Sequence, residues 1–430
     1  MMPSSRPQRG AATLVVVMVL FLVMALLAAY ANRSLMFEQR LAGSFYRTSV
    51  AQEAAEAGIE WTLAQLNSGA IDESCRPVST GGQRFADRYL NFSLADRLIS
   101  PITIASLAVD CARDVAADGW ACRCPPASTL TTRAPASPMA GNAVTPSFGV
   151  GISLNLRPGT LDLNVRGCND SVVDRCISGL LTTVSTVNQL SRSDYKATLA
   201  LVSAVRTPPG APLVVKGDIT MSGDGLGLHN ADARSAGLLV VAGGTWTTPF
   251  NESRLESVPG TASAQSLVNH EASLTAPGAD VFKMFMGATA SRYIEHPSLR
   301  VVECNGDCAS ALDSAYKAGQ RIIWVRNTLT ISSNSVLGTV DDPILVIADG
   351  GVQLSGPLQL NGMLVSIGDM GWTNNSGLTS LINGILLVTG DLHTSGHMDV
   401  AYQQKIADQL RNRMGSYVRV PGGWIDYAQY

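Results

Sequence analysis

The longest apolar run of the chain lies near its N-terminus. No charged residue occurs from Ala11 to Ala31, and only Thr13 and Tyr30 carry polar groups. At 1.5 Å per residue, a helix of this length covers roughly 30 Å, the thickness of the hydrocarbon core of a bilayer. Arg6 and Arg9 precede the run without any acidic residue. The pattern therefore predicts a membrane-spanning helix with a short cytoplasmic leader and the rest of the chain on the opposite side.

The helical pattern continues after the apolar run. Small and apolar residues recur there at three- and four-residue spacing, namely Ala51, Ala54, Ala55, Gly58, Ile59, Leu63 and Leu66. A secretory signal peptide is the alternative for the run, but its apolar part is normally about 7 to 15 residues long. We therefore predict one long helix, apolar at its start and amphipathic at its end, with a narrow stripe available for packing.

Three motifs occur in order along this helix. Arg9-Gly10 precedes the apolar run, Glu38-Gln39-Arg40-Leu41-Ala42-Gly43 follows it, and Ala51-Gln52-Glu53-Ala54-Ala55-Glu56-Ala57 comes next. Over roughly residues 6 to 66 the chain resembles the N-terminal module of PilX-type minor pilins of type IV pili. The resemblance implies cleavage by prepilin peptidase between Gly10 and Ala11, methylation of the new amine of Ala11, and incorporation into a pilus through the helix.

Two positions depart from the pattern of major pilins, which carry phenylalanine at the first mature position and glutamate at the fifth. Here these positions hold Ala11 and Val15. A carboxylate inside an apolar helix bundle needs a cation, and in the pilins that this chain resembles the cation is the N-terminal amine of a neighbouring subunit. Val15 makes no such demand, so we expect this chain at the fibre tip or in the initiation of assembly. An ordinary single-span anchor is the alternative interpretation of Val15.

Alternation of apolar and polar residues predicts strands after the helix, at Gly149 to Leu156, Leu161 to Val165 and Tyr195 to Val205. The pilin resemblance implies that their sheet packs on the C-terminal half of the long helix. Before them, Ser93 to Leu107 is expected to supply a short helix and strand. A stretch rich in Pro, Ala, Ser and Thr predicts an irregular linker and contains Pro125, Pro126, Pro135 and Pro138.

A different repeating sequence pattern begins at about residue 210. Apolar, β-branched-rich runs end in glycine turns at 212–219, 237–244, 344–351, 363–369 and 385–391. The last three turns, at Gly350, Gly368 and Gly390, are 18 and 22 residues apart, which suits the coils of a right-handed parallel β-helix. An antiparallel sheet with tight turns is the alternative.

Two helical patterns interrupt this repeat, at Asp280 to Met286 and at Ala401 to Met414. The second is expected to cap the end of the coil, where it would protect an exposed strand edge. The tail from Val420 to Tyr427 is apolar and aromatic. We expect it to be a packing plug or a contact with a neighbouring subunit.

These elements predict an α+β fold in which a long N-terminal pilin-like transmembrane helix is followed by a large β-rich head with a parallel β-helix-like solenoid portion. The expected divisions are a leader at 1–10, the helix at 11–66, a cysteine-containing α+β region at 67–209 that includes the Pro-rich linker, and a solenoid-like head with C-terminal helix and tail at 210–430.

Composition narrows the function classes. Charged residues make up only 15% of the 430 residues and glycine reaches 40, which is typical of a β-rich exterior domain. The formal charge of −3 becomes about −5 once Arg6 and Arg9 are removed with the leader. The chain offers no basic surface, so nucleic acid is not expected as a partner.

The chain contains eight cysteines, an even number that favours disulfides in an oxidising compartment. The best local pairs are Cys168 with Cys176 and Cys304 with Cys308, each closing a short polar loop. The other four would pair among themselves in one of three arrangements, and they are Cys75, Cys111, Cys122 and Cys124. Zinc is the alternative, but the spacings differ from the two-residue spacing of most structural zinc sites.

Catalytic and metal-binding candidates are few. Asp341 and Asp342 are adjacent and would point to opposite faces of a strand, and Pro343 marks them as a turn. His393 and His397 enclose a loop signal rather than a helical metal pair. The residues considered for calcium are Asp218, Asp224 and Asn230, although glycine-rich turns use such residues for backbone reasons. We therefore expect no enzyme activity, no metal and no cofactor.

The sequence as a whole predicts a minor pilin that is stored in the inner membrane with a periplasmic head and is then built into a type IV pilus on the cell surface. Expected partners are other minor pilins, a tip adhesin and prepilin peptidase, and the head is expected to act in adhesion. One alternative is a minor pseudopilin of type II secretion. Another is a membrane-anchored β-helix protein that binds or cleaves carbohydrate.

Overall fold

The computed structural model describes residues 10–102, 109–114, 119–126, 145–170, 176 and 191–427. These residues form a long helix, an antiparallel sheet packed on its C-terminal part, and a parallel β-solenoid. The predicted fold class is therefore confirmed. The predicted leader, apart from Gly10, and much of the predicted Pro-rich linker lie outside the described residues.

Helix α1 extends from Gly10 to Leu66. Its 57 residues include no proline and correspond to a length of about 85 Å. Asn67 follows the helix, and its side-chain amide donates to the Leu63 carbonyl at 2.9 Å, which satisfies one of the last carbonyls of α1. The same amide donates to the Tyr417 carbonyl, so the end of α1 is tied to the C-terminal part of the chain.

Short elements follow α1. Strands β1 (Ala70–Ile71) and β2 (Gln83–Arg84) form one hairpin, helix α2 covers Phe85–Tyr89, and β3 (Leu90–Phe92) and β4 (Ile99–Pro101) form a second hairpin. Of the short helix and strand predicted within Ser93 to Leu107, the strand is present as β4, no helix forms from Ser93 to Ser100, and residues 103–107 lie outside the described residues. Ser93 instead begins a turn in which its hydroxyl accepts from the amide of Asp96 at 3.4 Å, and the short helix lies upstream at α2.

Six strands form the antiparallel sheet that packs on α1, in the spatial order β27-β9-β8-β7-β5-β6. Their bounds are β5 Val109–Asp114, β6 Gly119–Arg123, β7 Ser147–Leu154, β8 Thr160–Cys168, β9 Arg192–Ser203 and β27 Gly415–Tyr427. The three strands predicted from alternation correspond to β7, β8 and β9.

The contact between α1 and this sheet depends on small residues. Ala51, Ala54, Ala55 and Ile59 of α1 are buried against it. A Cβ atom at Gly167 of β8 would lie 2.1 Å from the carbonyl oxygen of Ala51. The sheet can therefore approach the helix backbone closely, which is the packing that the predicted stripe of small residues allows.

The solenoid is built from seventeen short strands among the described residues, and every pairing among them is parallel. The antiparallel alternative is therefore excluded. The bounds are β10 Leu213–Val215, β11 Ile219–Ser222, β12 Leu226–His229, β13 Val240–Ala242, β14 Leu255–Glu256, β15 Leu267–Val268, β16 Leu299–Val302, β17 Ile322–Val325, β18 Leu329–Ile331, β19 Ser335–Leu337, β20 Ile344–Ala348, β21 Val352–Leu354, β22 Leu358–Ser366, β23 Met370–Asn374, β24 Leu381–Val388, β25 Leu392–Gly396 and β26 Met398–Ala401.

The coils are not stacked in chain order. From β16 the coils advance through β17, β20, β22 and β24, as the sequence does. The coil that begins with β24 then pairs with β10 to β12, which come much earlier in the chain, and β13 and β15 continue the stack beyond them. The chain thus enters the stack near one end, builds that end first, and returns to the opposite end before residue 299.

Helices make the return connection, cover one outer face of the stack and close one of its ends. They are α3 Ala272–Thr275, α4 Val281–Met286, α5 Ala290–Tyr293, α6 Ala309–Lys317 and α7 Gln404–Asn412, with 3₁₀ turns at Ala233–Ser235, Glu252–Arg254 and Ser263–Ser266. In β20 the side chains of Ile344 and Val346 point into the solenoid, whereas those of Leu345 and Ile347 point outward against the helices. Both faces are buried, which explains the continuous apolar runs in the sequence.

The cap predicted at residues 401–414 is wrong. Helix α7 buries Ile406 and Leu410 on the outer face of the β22 and β24 strands rather than on an end of the stack. An amphipathic helix buries one stripe on any flat apolar surface, so its sequence does not distinguish a face from an end. Helix α6 lies at the β16 end, where Leu312 reaches the inner core, and Trp246 and Phe250 pack edge to face at the other end.

The solenoid is inserted between two neighbouring strands of the antiparallel sheet. β9 ends at Ser203, the solenoid and its helices follow, and β27 returns from Gly415 to pair with β9 in antiparallel register. The C-terminal tail, which the sequence analysis grouped with the solenoid, is thus the edge strand of the sheet on α1. Trp424 stacks on Tyr195 of β9 with ring centroids 5.0 Å apart.

Candidate assembly site

The N-terminal part of α1 makes no contact with the head. Its large apolar side chains are exposed, and they include Leu14, Phe21, Leu22, Leu26 and Leu27. In the described part of the chain, α1 is the one helix that is long and apolar enough to cross a membrane, and its most apolar window is not buried at all. This free segment is the natural membrane-spanning part of the chain.

The sequence-predicted processing and assembly residues lie at the start of α1. Gly10 and Ala11 belong to its first turn, and Val15 is 58% exposed one turn later. About 60 Å of helix separate Ala11 from Ala51, the first buried residue of the stripe. The predicted processing residues therefore lie far along α1 from the part of the helix that packs on the head.

A second apolar stripe, which the sequence analysis missed, lies between the apolar run and the head. Phe37, Leu41 and Phe45 are exposed at four-residue spacing on α1. In a straight helix, residues eighteen positions apart share a face, so Phe37 and Leu41 continue the face of Ala55 and Ile59 that binds the sheet. The four-residue spacing could have predicted this stripe, but the charged residues Glu38 and Arg40 beside it made the segment look polar.

Four disulfides staple the head. Cys168–Cys176 and Cys304–Cys308 are present, and the remaining cysteines are paired as Cys75–Cys124 and Cys111–Cys122. Cys111 and Cys122 face each other on β5 and β6. Cys75–Cys124 joins the loop after β1 to the residue that follows β6. It therefore connects the segment after α1 to the edge strand of the sheet.

An ion-pair network joins the α1 domain to the solenoid. Asp87 of α2 accepts from Arg84 at 2.5 Å and from Arg413, which follows α7, at 2.8 Å. Asp342 accepts from Arg321 at 2.6 Å and from Arg84 at 3.2 Å. Burial alone would raise the pKa of Asp87, but the charges of Arg84 and Arg413 outweigh it and hold that pKa below its usual range. The network therefore stays charged at neutral pH and fixes the head against the helix domain.

A histidine lies in the same junction. The Nδ1 atom of His296 is hydrogen-bonded to the Ser416 hydroxyl of β27, and its ring stacks on Tyr293. Burial lowers the pKa of His296 to about 4. The imidazole is therefore neutral at neutral pH and acts as a packing and hydrogen-bonding group.

One face of the solenoid is partly exposed, and the five strands that form it contain no Asp, Glu, Lys or Arg; at its β18 edge the Ser332 hydroxyl donates to the Asp307 carboxylate at 2.8 Å. It is formed by strands β18, β21, β23, β25 and β11, whose outward side chains stand in two parallel rows. We call it the hydroxyl face, and its rows are Thr330, Gln353, Gly371, His393 and Thr220, and beside them Ser332, Ser355, Thr373, Ser395 and Ser222. Neighbouring strands repeat at about 4.8 Å, so these groups form a regular polar lattice.

The fold separates most of the catalytic and metal candidates from one another, but it brings Asp224 and His397 together. Asp342 is held by arginines, while Asp341 on the neighbouring position pairs with Lys405. His393 belongs to the hydroxyl face, and His397 lies 3.5 Å from an oxygen of Asp224. Among the described residues, no group of three His, Cys, Asp or Glu side chains has the geometry to hold a metal ion.

The turn aspartates have a structural task instead. The Asp369 carboxylate accepts a hydrogen bond from the backbone amide of Asp391 at 2.9 Å. The Asp391 carboxylate accepts one from the backbone amide of Asp218 at 2.8 Å, and the Asp218 carboxylate accepts one from the backbone amide of Thr245 at 2.7 Å. Backbone and side-chain hydrogen bonds from Thr245 lower the pKa of Asp218. Asn230, the other candidate for calcium, is buried and donates to the carbonyls of Gly210 and Leu238. These side chains hold coils and turns together.

Comparison with known proteins bears on the N-terminal segment. Residues 9–60 match the family model described as PilX N-terminal, which confirms the resemblance of this segment to PilX-type minor pilins. A search of the curated proteins found no match. Among solved structures, the chain is similar to the competence-associated pilin ComZ from Thermus thermophilus, at 10% identity, over 89% of this chain and 98% of that chain. The TM-score of 0.22 is too low to carry an argument.

Proposed function

We propose that this chain, whose residues 9–60 carry the PilX N-terminal module, is a minor pilin that takes part in the assembly of a type IV pilus. The observation that carries the proposal is the free segment of α1. It combines the PilX match, an exposed apolar span and a head that leaves the helix accessible to neighbouring helices.

The mature subunit begins at Ala11 in this proposal. Prepilin peptidase cuts after Gly10 on the cytoplasmic side, and the new amine is methylated. The test is the mass of the N-terminal peptide from membranes of cells with and without the peptidase. A methylated Ala11 that appears only with the peptidase is the expected result. A Met1 start in both strains would contradict the proposal and favour an anchored carbohydrate-binding or carbohydrate-cleaving protein.

The absence of glutamate at Val15 supports a place at the fibre tip or in initiation. An apolar residue there requires no amine from a neighbouring subunit, and the bulky solenoid adds further volume to the head. We expect immunogold label against the head at the ends of sheared fibres. In the Val15→Glu variant we expect label along the fibre as well. Label along the whole length of wild-type fibres would contradict the tip position.

A deletion separates pilus assembly from type II secretion, in which minor pseudopilins have the same helix architecture. Loss of surface fibres with unchanged secretion is the expected result. Accumulation of secreted enzymes in the periplasm with normal fibres would identify the chain as a pseudopilin. In the proposed pathway the chain is stored in the inner membrane with its head in the periplasm, and its partners are other minor pilins and a tip adhesin.

The hydroxyl face supports a role of the head in adhesion. Its rows of Thr, Ser and Gln side chains present donors and acceptors without net charge, which suits an uncharged, hydroxyl-bearing polymer more than a polyanion. We expect the purified protein to bind dextran-coated beads and the Thr373→Lys variant to bind them less. Gln359→Lys, at an exposed strand position outside this face, is the matched control. Equal binding by both variants would contradict this role of the face.

A further inference from the structure

A small, partly open cavity lies at the junction between the α1 domain and the solenoid. Its volume is about 40 Å³, which is room for one or two water-sized groups. Arg84 and Asp87 line it from the α1 domain, Arg321 and Arg413 from the solenoid side, and Tyr417 from β27. The cavity thus lies between the α1 domain, the solenoid and β27.

Two hydrogen-bond donors at this cavity have no acceptor among the described residues. The Tyr417 side chain is only 3% exposed, and its hydroxyl is buried without a partner. The Nε atom of Arg413 is likewise buried without a partner, although the terminal nitrogens of the same guanidinium bind Asp87 and the Asp341 carbonyl. A buried donor without an acceptor destabilises the folded state, so two of them beside one cavity indicate a ligand that accepts hydrogen bonds.

The charges around the cavity have the matching sign. Three guanidinium groups belong to the network, those of Arg84, Arg321 and Arg413, against the two carboxylates of Asp87 and Asp342. One positive charge therefore remains uncompensated in a partly buried site, where a counter-ion is favourable. The ligand that meets both demands accepts hydrogen bonds, is negatively charged and is little larger than water.

We propose that this junction cavity binds one small inorganic anion, chloride, between the Tyr417 hydroxyl and the Nε atom of Arg413. The bound anion joins Tyr417 of β27 to Arg413, whose guanidinium also binds Asp87 of α2, and it thereby stabilises the folded junction. This inference does not depend on the proposed role in a pilus, because it concerns a binding site inside the head.

The test compares thermal unfolding of the full-length protein in detergent in sodium chloride and in sodium gluconate at equal ionic strength. Gluconate is too large for the cavity and controls for screening. We expect a saturable rise of the unfolding midpoint by about 3 °C in chloride, because an anion that binds only the folded state stabilises it. Equal midpoints in the two salts would overturn the proposal and leave water as the occupant.

Two variants locate the effect. Tyr417→Phe removes the hydroxyl at the cavity, and the chloride-dependent rise should vanish. Tyr293→Phe is the matched control, because it removes a buried hydroxyl that donates to the Ala204 carbonyl elsewhere in the head. It should lower the midpoint in both salts and keep the chloride dependence. Chloride dependence that survives in Tyr417→Phe would overturn the proposed site.

A direct measurement covers the case in which Tyr417→Phe does not fold. Crystals of the wild-type protein soaked in bromide should give an anomalous peak within hydrogen-bond distance of the Tyr417 hydroxyl and the Arg413 Nε atom. A bromide-soaked crystal without a peak in this cavity would overturn the proposal independently of any variant.

Discussion

At the scale of single residues, two glycines at the contact between α1 and the sheet allow the two elements to approach closely. Gly58 faces Val165 and Phe148, and Gly167 faces the backbone of Ala51 and Ala55. In both places a Cβ atom would fall closer than 3 Å to a neighbouring atom. The stripe is narrow because the backbone of α1, rather than large side chains of the helix, forms the contact at both positions.

We expect Gly167→Ala to lower the free energy of unfolding by about 2–3 kcal/mol, because the new methyl group collides with helix backbone that cannot move away. Chemical denaturation of the full-length protein in detergent measures the change. Gly43→Ala is the matched control, since no atom lies within 4 Å of its Cβ position and alanine favours a helix. An equal loss in both variants would show that the close approach is not the cause.

His296 gives the junction a dependence on pH. Its pKa is lowered to about 4 by burial, so the unfolded chain binds more protons than the folded chain between that value and about 6.5. The stabilisation is fully present above about pH 6.5 and is lost as the pH falls towards 4. We expect a loss of about 2 kcal/mol over this interval, after allowance for partial exposure of the ring.

Denaturation midpoints measured at several pH values test this expectation. The His296→Gln variant should lose most of the slope between about pH 6.5 and pH 4.5, since glutamine does not titrate. Its stability at neutral pH serves as the reference for any packing defect. An unchanged slope in the variant would assign the acid sensitivity to other groups.

At the scale of elements, the same amphipathic pattern serves different surfaces. Helix α7 covers a face of the solenoid, α6 closes one end, and the C-terminal part of α1 packs on the antiparallel sheet. The disulfides likewise differ in how much of the chain lies between the two cysteines. Cys75–Cys124 connects segments 49 residues apart, whereas Cys304–Cys308 closes a loop over a separation of 4 residues before α6.

We expect the two disulfides to differ in their contribution to stability. A cross-link restricts the unfolded chain more strongly when it closes a longer loop, so the Cys75→Ser/Cys124→Ser variant should lose about 4 kcal/mol. The Cys304→Ser/Cys308→Ser variant should lose about 2 kcal/mol by the same relation. Denaturation curves under non-reducing conditions provide the comparison. Equal losses, or a larger loss for the short loop, would mean that folded-state contacts dominate.

At the scale of the whole molecule, the part formed by α1 and the antiparallel sheet meets the solenoid at a single junction. The antiparallel sheet and α1 form one part, and the solenoid is inserted between β9 and β27 of that sheet. Both connections of the insertion therefore lie side by side. The ion pairs of Asp87 and Asp342 and the hydrogen bond from the Ser298 hydroxyl to the Asn67 side chain hold the two parts together there.

A chain that begins at Thr48 should fold as a soluble head, because the residues from Thr13 to Tyr46 make no buried contact with it. We expect its thermal midpoint to lie within a few degrees of that of the full-length protein, about the shift caused by 1 kcal/mol. Circular dichroism and size-exclusion chromatography measure the outcome. A matched chain that begins at Ile59 should aggregate, because it lacks the buried stripe at Ala51, Ala54 and Ala55.

Several features were determined by local sequence. The apolar run and the small-residue stripe predicted α1, because helix period and hydrophobicity are properties of neighbouring residues. The motifs along it predicted the match of residues 9–60 to the PilX N-terminal model. Alternation predicted β7, β8 and β9, and repeated apolar runs with glycine turns predicted parallel coils. The local cysteine pairs followed from loop length alone.

Only the tertiary structure decided the arrangements that join distant segments. Among them are the return of β27 to β9, the docking of the β24 coil on β10, the position of α7 on a face, and the pairing of Cys75 with Cys124. The network of Arg84, Asp87, Asp342 and Arg413 likewise unites residues from opposite ends of the head. A sequence pattern states which surface an element buries, whereas the partner depends on which complementary surface the rest of the chain brings to it.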